Sequence, residues 1–485
     1  MGGLTKPGGL IRLPGAFVPL VEPVSTGLSP LQAFELFQGE PYSFFLDSAL
    51  PAGWLGRFSF IGSRPFLVLR SRGNQVQLLR EEGKQEVVAG DPFDVLRGFL
   101  ECYRIAGVAD LPLVGGAVGY FGYDLCHFIE RLPAVARDDL GLPEGYLGFY
   151  DTLLAFDHRR GQAYLVSTGL PEEEPEARRL RAQRRLGEFL AKLRQPAPPP
   201  EESFSPPVGG VRANFSREGY LEAVERAREY IAAGDIFQVN LSQRFEVPLP
   251  FPPYQLYKQL RRCNPAPYAA YLNFPGVQVV SASPELFLRL KGDRVETRPM
   301  KGTRPRGTEP EQDQALAREL QGSIKDRAEN VMIVDLMRND IGRVCRFGTV
   351  RVPRLYTLEK YATVWQLTST VAGRLRAGLG TVDLLRAAFP GGSVTGAPKV
   401  RAMEIIDGLE PTCRGVYTGA IGYISFHGDM ELNMAIRTFV VKDGRAYFQV
   451  GGAVTYDSVA EAEYRETLDK ARALFLALGL VPPAG

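Results

Sequence analysis

Histidine is nearly absent from this 485-residue chain, which has three: His127, His158 and His427. Cysteine is scarce too. Its five residues (Cys102, Cys126, Cys263, Cys345 and Cys413) lie far apart, with no C-x-x-C pair. That spacing speaks against a zinc site, and an odd, dispersed set of thiols suits a reducing cytoplasm. No unbroken apolar run reaches about 18 residues, so no membrane-spanning helix is expected. Residues 1–20 are interrupted by Pro and Gly and read as an ordinary chain start, not a secretion signal. Excess charge is also missing. With 57 Lys and Arg against 55 Asp and Glu the formal charge is +2, without the basic footprint of a nucleic-acid binder. A metal site in such a chain must lean on carboxylates, which favours a hard ion such as Mg²⁺.

What is present is an ordinary globular composition, 45% hydrophobic and 23% charged. Length alone allows two to four domains of about 150 residues, or fewer large ones. One break stands out: residues 195–210 read QPAPPPEESFSPPVGG, too rich in Pro and Gly for helix or sheet. It divides the chain into 1–194, a linker at 195–210, and 211–482. The first part carries short β-like runs at 66–70, 75–79 and 162–166, and helical spacing over Pro92 to Tyr103. The second part predicts a helix from an Ser216 cap to Ala233, stopped by Gly234. Phe237 to Leu241 then alternates apolar and polar, as a half-buried strand does. Further helices are predicted over Gln312 to Leu336, from near Thr395–Pro398, and over Ser458 to Leu478. Ser458 and Glu461 have the spacing of a capping box. Strands and helices without strict alternation indicate an α+β fold.

Two of these helices carry acids three apart: Asp326 with Glu329, and Glu463 with Glu466. Such positions share a helix face, where like charges repel unless something offsets them. Lys470 continues the second face, beside an apolar stripe of Tyr464, Leu468, Ala471 and Phe475. Most such pairs are solvated helix acids, and a shared cation is the functional alternative. Two glycine segments stand out. FPGGSVTGAPK (389–399) opens a helix, where free N–H groups favour anions, and VGGAVTYDS (450–458) lets backbone approach a ligand. Neither is a P-loop or a dinucleotide fingerprint, so neither nucleotide is indicated. Lys301, in RPMKGTRPRG, becomes a nucleophile only if burial or neighbouring cations lower its pKa. By itself the segment reads more readily as a basic surface loop.

Taken together, the ordered blocks SASPELFLRL, RPMKGTRPRG, KDRAENVMIVDLMRNDIGRV, FPGGSVTGAPKVRAMEIIDGLEP, RGVYTGAIGY, NMAIRT and AEYRETLDKA resemble the chorismate-binding enzymes. These include component I of anthranilate synthase and of aminodeoxychorismate synthase, and the isochorismate and salicylate synthases. The resemblance is strong over residues 210–480 and weak before them. It implies two subdomains whose β-sheets pack face to face, flanked by helices, the first like the N-terminal part of anthranilate synthase component I. It implies Glu329 and Glu466 as direct Mg²⁺ ligands, with Glu463 and Asp326 acting through water; Asp326 stands where glutamate is common. Tyr417 and Arg437 match the grip on the enolpyruvyl carboxylate. Thr303, Ser393, Gly451, Gly452 and Lys470 match other pocket positions, and Glu285 matches the general acid for the C4 hydroxyl, which must be neutral to act.

Within the family the chain looks most like component I of the aminodeoxychorismate synthases. Gln238 stands where isochorismate and salicylate synthases have a water-activating lysine, which favours ammonia as the incoming group. Lys301 matches the lysine proposed to attack C2 and form a covalent intermediate, where anthranilate synthases show P-I-A-G-T. QVNLSQRF, KDRAEN and PGGSVTGAPK point the same way. The resemblance therefore implies chorismate and ammonia as substrates, the ammonia coming from a separate glutamine amidotransferase, since no nucleophilic Cys with a partnering His segment is found here. It also implies that a separate lyase makes p-aminobenzoate for folate. Two rivals stand beside this reading: anthranilate synthesis, with C2 amination and pyruvate loss, and a non-catalytic chain keeping the chorismate fold. Some positions depart from the pattern. Gln366 replaces a histidine tied to pyruvate loss, and Thr455 and Tyr456 fall in an altered glycine segment. Asp47, in SFFLDSAL, replaces the glutamate of a segment that binds tryptophan in relatives.

Overall fold

The computed structural model describes residues 18–50, 55–108, 110–196, 206–207, 209–361 and 364–481. Most of the Pro/Gly-rich stretch 195–210, and the first 17 residues, lie outside the described residues. Two twelve-stranded sheets carry the fold, and their paired strands run antiparallel. In the first, the strands Leu20–Val24, Gln162–Ser167, Thr152–Asp157, Phe58–Gly62 and Ser43–Asp47 lead into Tyr268–Phe274, Val277–Ser283, Thr438–Lys442, Arg445–Val454, Gln238–Pro248 and Arg212–Ala213. The second runs from Met300–Pro305 through Val364–Arg374, Arg294–Arg298, Leu286–Lys291, Met430–Met434 and Ala420–Ser425. It continues into Gly116–Phe121, Gly145–Tyr150, Leu67–Arg72, Gln75–Arg80 and Gln85–Ala89. Each sheet thus continues across the Pro/Gly-rich stretch, joined at Ala269 opposite Asp47 and at Gly422 opposite Gly119.

Strand alternation decides which way each residue packs. Phe44 joins a core that draws on both sheets, including Leu272 and Val279 of the first and Val118 and Ile421 of the second. Its neighbour Phe45 turns to the other face. There Phe34, Phe189, Leu256 and Phe475 come from helices Pro30–Glu35, Pro175–Leu193, Pro253–Cys263 and Ala460–Ala477. The sheets therefore pack face to face, with helices covering the outside of the first. None of the described helices is long and apolar enough to cross a membrane.

Several local expectations hold. The 66–70, 75–79 and 162–166 runs are strands, Pro92–Cys102 is a helix, and Ser216 caps Arg217–Ala232 by accepting from Gly219 N. Three do not. The helix expected over 312–336 is two helices, Pro310–Gly322 and Ile324–Gly342. Ser323 leaves helical geometry between them, and its hydroxyl caps the second by accepting from Asp326 N. The Ser458–Glu461 capping box does not form. Ser458 Oγ donates to Glu463 Oε1 at 2.6 Å, and Glu461 pairs with Arg217 at 2.5 Å. The strand after Phe237 is buried on both faces instead of one. Val239 and Leu241 pack under the helices, while Gln238 on the other side is fully buried as well.

Candidate active site

The polar face of strand Gln238–Pro248 is one wall of a cleft whose centre is Lys301. The lysine lies on strand Met300–Pro305, with its amine 3.5 Å from Asn240 Oδ1. Burial pushes that amine below its ordinary pKa and the Lys470 ammonium adds to this, while Glu329, Glu466 and Glu285 pull the other way. Gly302 follows with φ +86°. A Cβ there would lie 2.9–3.0 Å from Leu320 and Asp326, so glycine suits the close approach of the strand to the two helices that carry them.

Glu285 sits in the turn between Val277–Ser283 and Leu286–Lys291 and is 5% exposed. Its Oε1 accepts from Ser393 Oγ at 2.6 Å. Burial lifts the carboxyl to about 7, against the pull of the Ser393 hydroxyl, the Lys301 charge and the Met300 N–H. A carboxyl placed there can hold a proton near neutrality and give it up, as a general acid must. Ser393 belongs to a short 3-10 turn, Gly392–Val394, and its carbonyl accepts from Asn240 Nδ2 at 3.1 Å.

The acids come from the two helices the sequence singled out. On Ile324–Gly342, Glu329 is raised by burial and by the like charges of Asp326 and Glu466, with Lys301 and Lys325 opposing. On Ala460–Ala477, burial raises Glu463, whose Oε1 is held by Ser458 while its Oε2 is buried without a partner. Burial would raise Glu466 also, but Lys470 at 2.6 Å brings it below its ordinary value. Strand Arg445–Val454 closes on these acids. A Cβ on Gly452 would be 3.1 Å from Glu463 Oε2 and 3.4 Å from Glu466 Oε1, and the Gly451 carbonyl accepts from Lys470 Nζ at 2.8 Å. Asp326 is placed differently, turned to Arg304 at 3.1 Å. Among the described residues, no group of three or more His, Cys, Asp or Glu is arranged to hold a metal ion.

Arg437 has φ +54° and donates to the Lys470 carbonyl; burial lowers its pKa against the charges of Tyr417 and Glu466. Burial pushes the Tyr417 hydroxyl up to about 12, with the Arg414 guanidinium, 5.7 Å from the ring, opposing. Gln238 is fully buried and neither end of its amide has a partner. Thr303 is exposed at the rim, opposite Gln366 across the sheet, and Gln366 Oε1 is buried and unpartnered. Thr455 N donates to Ser458 Oγ at 3.0 Å, and the Tyr456 side chain is exposed.

The sequence reading passed over Asn240, although alternation from Gln238 puts it on the same face of the strand. It also missed Arg414 and Glu410, a fully enclosed ion pair at 2.7 Å. Arg414 donates to the carbonyls of Asn240 and Val394 at 2.8 and 2.9 Å, bracing two walls of the cleft from behind.

The chain matches the family model described as chorismate binding enzyme over residues 36–476. It is 42% identical over 449 residues to anthranilate synthase component 1 of Cereibacter sphaeroides, covering 91% of this chain and 90% of that one. It is 40% identical over 452 residues to aminodeoxychorismate synthase component 1 of Bacillus subtilis, covering 93% and 94%. The crystal structure of anthranilate synthase component I from Streptococcus pneumoniae TIGR4 superposes with a TM-score of 0.77 at 36% identity, covering 87% of this chain and 92% of that one.

Proposed function

The chain belongs to the chorismate-binding enzymes, and from that premise we propose that it aminates chorismate at C4, as an aminodeoxychorismate synthase component I. The observation that carries the reading is Lys301. Its amine is held inside the cleft with a lowered pKa, near an acid raised to about 7. The Lys301 lone pair forms a bond to C2, and the two ring double bonds shift toward C4. The C4–O bond breaks, and the oxygen leaves as water with the Glu285 proton. Ammonia then bonds to C4, the double bonds shift back, and the C2–N bond breaks to release the lysine. The new ammonium returns a proton to Glu285, so the sum is chorismate and ammonia to aminodeoxychorismate and water.

Arg437 and Tyr417 orient the enolpyruvyl carboxylate, and Ser393, Gly451, Gly452 and Lys470 shape the pocket around the ring. Glu329, Glu463 and Glu466 are the hard oxygen donors that would hold Mg²⁺, and Glu463 Oε2 lacks a partner, but as the described residues stand no three acids are grouped around one ion position. Asp326 fits less well because Arg304 holds it. When bound, Mg²⁺ supplies positive charge that anchors the ring carboxylate. The ammonia comes from a separate glutamine amidotransferase in this reading; the relatives' names, component 1, go with a second component of some kind. The reaction belongs to the cytoplasm, and a separate lyase completes p-aminobenzoate for folate.

A second reading is favoured by the relatives themselves: one of the two named above, and the superposed crystal structure, is an anthranilate synthase component. It adds ammonia at C2 and loses pyruvate. Tryptophan binding finds no support in the fold: the cavity that Asp47 and Ser48 line with Tyr268, Tyr423 and Asn433 is about 30 Å³, room for about one water. The test is to incubate the chain with chorismate, Mg²⁺ and an ammonium salt, with and without an added lyase. C4 amination gives p-aminobenzoate only with the lyase, and Lys301→Ala lowers its formation by at least about 10³-fold. Anthranilate without the lyase sinks the C4 assignment, and no turnover at all points to a non-catalytic chain.

A further inference from the structure

Asn240 is tied down at every polar atom. Its backbone N–H donates to the Thr395 carbonyl at 2.7 Å, and its own carbonyl accepts from Arg414 at 2.8 Å. Its Nδ2 donates to the Ser393 carbonyl at 3.1 Å. With the NH₂ end committed to a carbonyl, the amide oxygen must be the end that meets Lys301, 3.5 Å away. The same Ser393 donates its hydroxyl to Glu285 at 2.6 Å. One side chain therefore touches the lysine directly and touches the residue that holds the acid.

We propose that Asn240 is a positioning residue that registers the Lys301 amine against Glu285. The inference rests on the reading of Lys301 as the nucleophile. A neutral amine has two N–H bonds and one lone pair. Giving one N–H to Asn240 Oδ1 restricts where that lone pair points, which a freely rotating lysine tip would not do. Attack at C2 and departure from C4 are concerted across one ring, so nucleophile and acid must keep a fixed separation. The Lys301–Asn240–Ser393–Glu285 chain supplies that separation, and the Arg414–Glu410 pair braces the Asn240 backbone behind it. An apolar side chain at this position fills the same space but leaves the amine unaimed and the Ser393 carbonyl without its donor.

The test compares wild type, Asn240→Ala, Asn240→Gln and Lys301→Ala in the full chain with Mg²⁺, chorismate and ammonium. Steady-state p-aminobenzoate formation is measured with an added lyase. Mass spectrometry after rapid quenching, without ammonium, reads the adduct of chorismate less water on Lys301. Asn240→Ala is expected to lower kcat about 100-fold while KM for chorismate changes less than about threefold, and to slow the adduct by the same factor. Asn240→Gln, which keeps both ends of the amide, recovers part of the loss. If Asn240→Ala does not fold, Asn240→Ser, which keeps an acceptor without the reach, replaces it with the same expectation. A wild-type adduct that forms equally fast in Asn240→Ala overturns this inference and leaves the lysine mechanism standing. So does a loss in which KM rises as much as kcat falls and Asn240→Gln recovers nothing. Absence of a Lys301 adduct in the wild type, or anthranilate as its product, overturns the lysine mechanism and this inference with it.

Discussion

Two buried acids in this molecule are treated in opposite ways. Asp47, on strand Ser43–Asp47, is 3% exposed. Its Oδ2 accepts from Arg261 at 2.6 Å and from Tyr257 at 2.8 Å, and Oδ1 accepts from Ser59 at 3.3 Å. Glu285 is nearly as buried but has no cation in contact; its side chain meets Ser393 and the Met300 N–H, and its carboxyl rises to about 7. Around it the cleft leaves polar atoms unmatched, among them both ends of the Gln238 amide and Glu463 Oε2. Folded proteins pair nearly all their buried polar groups, and exceptions gather where chemistry is done. The Asp47 cluster satisfies its own polar atoms, and the Lys301 cleft leaves several of its own unpaired.

Glu285→Gln attacks the contrast most directly. An amide cannot supply the proton, so kcat for C4 amination is expected to fall by about 10²- to 10⁴-fold with folding intact. Because the carboxyl is raised to about 7, the acid form is present below that pH and lost above it. Wild-type turnover should therefore fall as pH climbs through about 7, and a profile flat from about pH 6 to 9 would contradict the assignment.

Arg261→Ala breaks the satisfied cluster. It leaves a buried carboxylate without its cation and should cost about 3 kcal/mol in denaturant unfolding. The folded fraction should keep its kcat, since the cluster lies apart from Lys301. A large loss of kcat at unchanged stability would erase the distinction between the two sites.

Asp124 sharpens the contrast as an intermediate case, with one backbone partner, Gly415 N at 2.8 Å, and a carboxyl raised to about 7 by burial. A raised carboxyl is neutral in both states at low pH, and stability is lost as pH rises from the ordinary aspartate range to about 7. Asp124→Asn should raise stability at pH 8, by on the order of 2 kcal/mol, and change nothing at pH 4. Equal effects at both pH values would mean that the charge is not what burial penalises.

That Asp326 with Glu329, and Glu463 with Glu466, stand three apart on helices was legible because helical spacing is local. The break at Ser323 was not. Either side of it reads as good helix, and the serine hydroxyl serves as a cap only once the chain turns there. The capping box of Ser458 and Glu461 fails for a similar reason. The spacing was right, but Arg217, 244 residues away in sequence, takes Glu461, and Glu463 takes Ser458.

Sequence by itself determined the family and singled out the paired acids and the lysine, because each is a matter of residue type at a fixed local interval. Only the tertiary structure decided the environments. It brought Asn240 to Lys301 across 61 residues and Ser393 to Glu285 across 108, and it turned Asp326 toward Arg304. It also ran both sheets through the two halves of the chain. The reason is physical: a pKa, a desolvated amine or an unpaired amide depends on what packs around a group, and those neighbours come from strands that meet only when the sheets close.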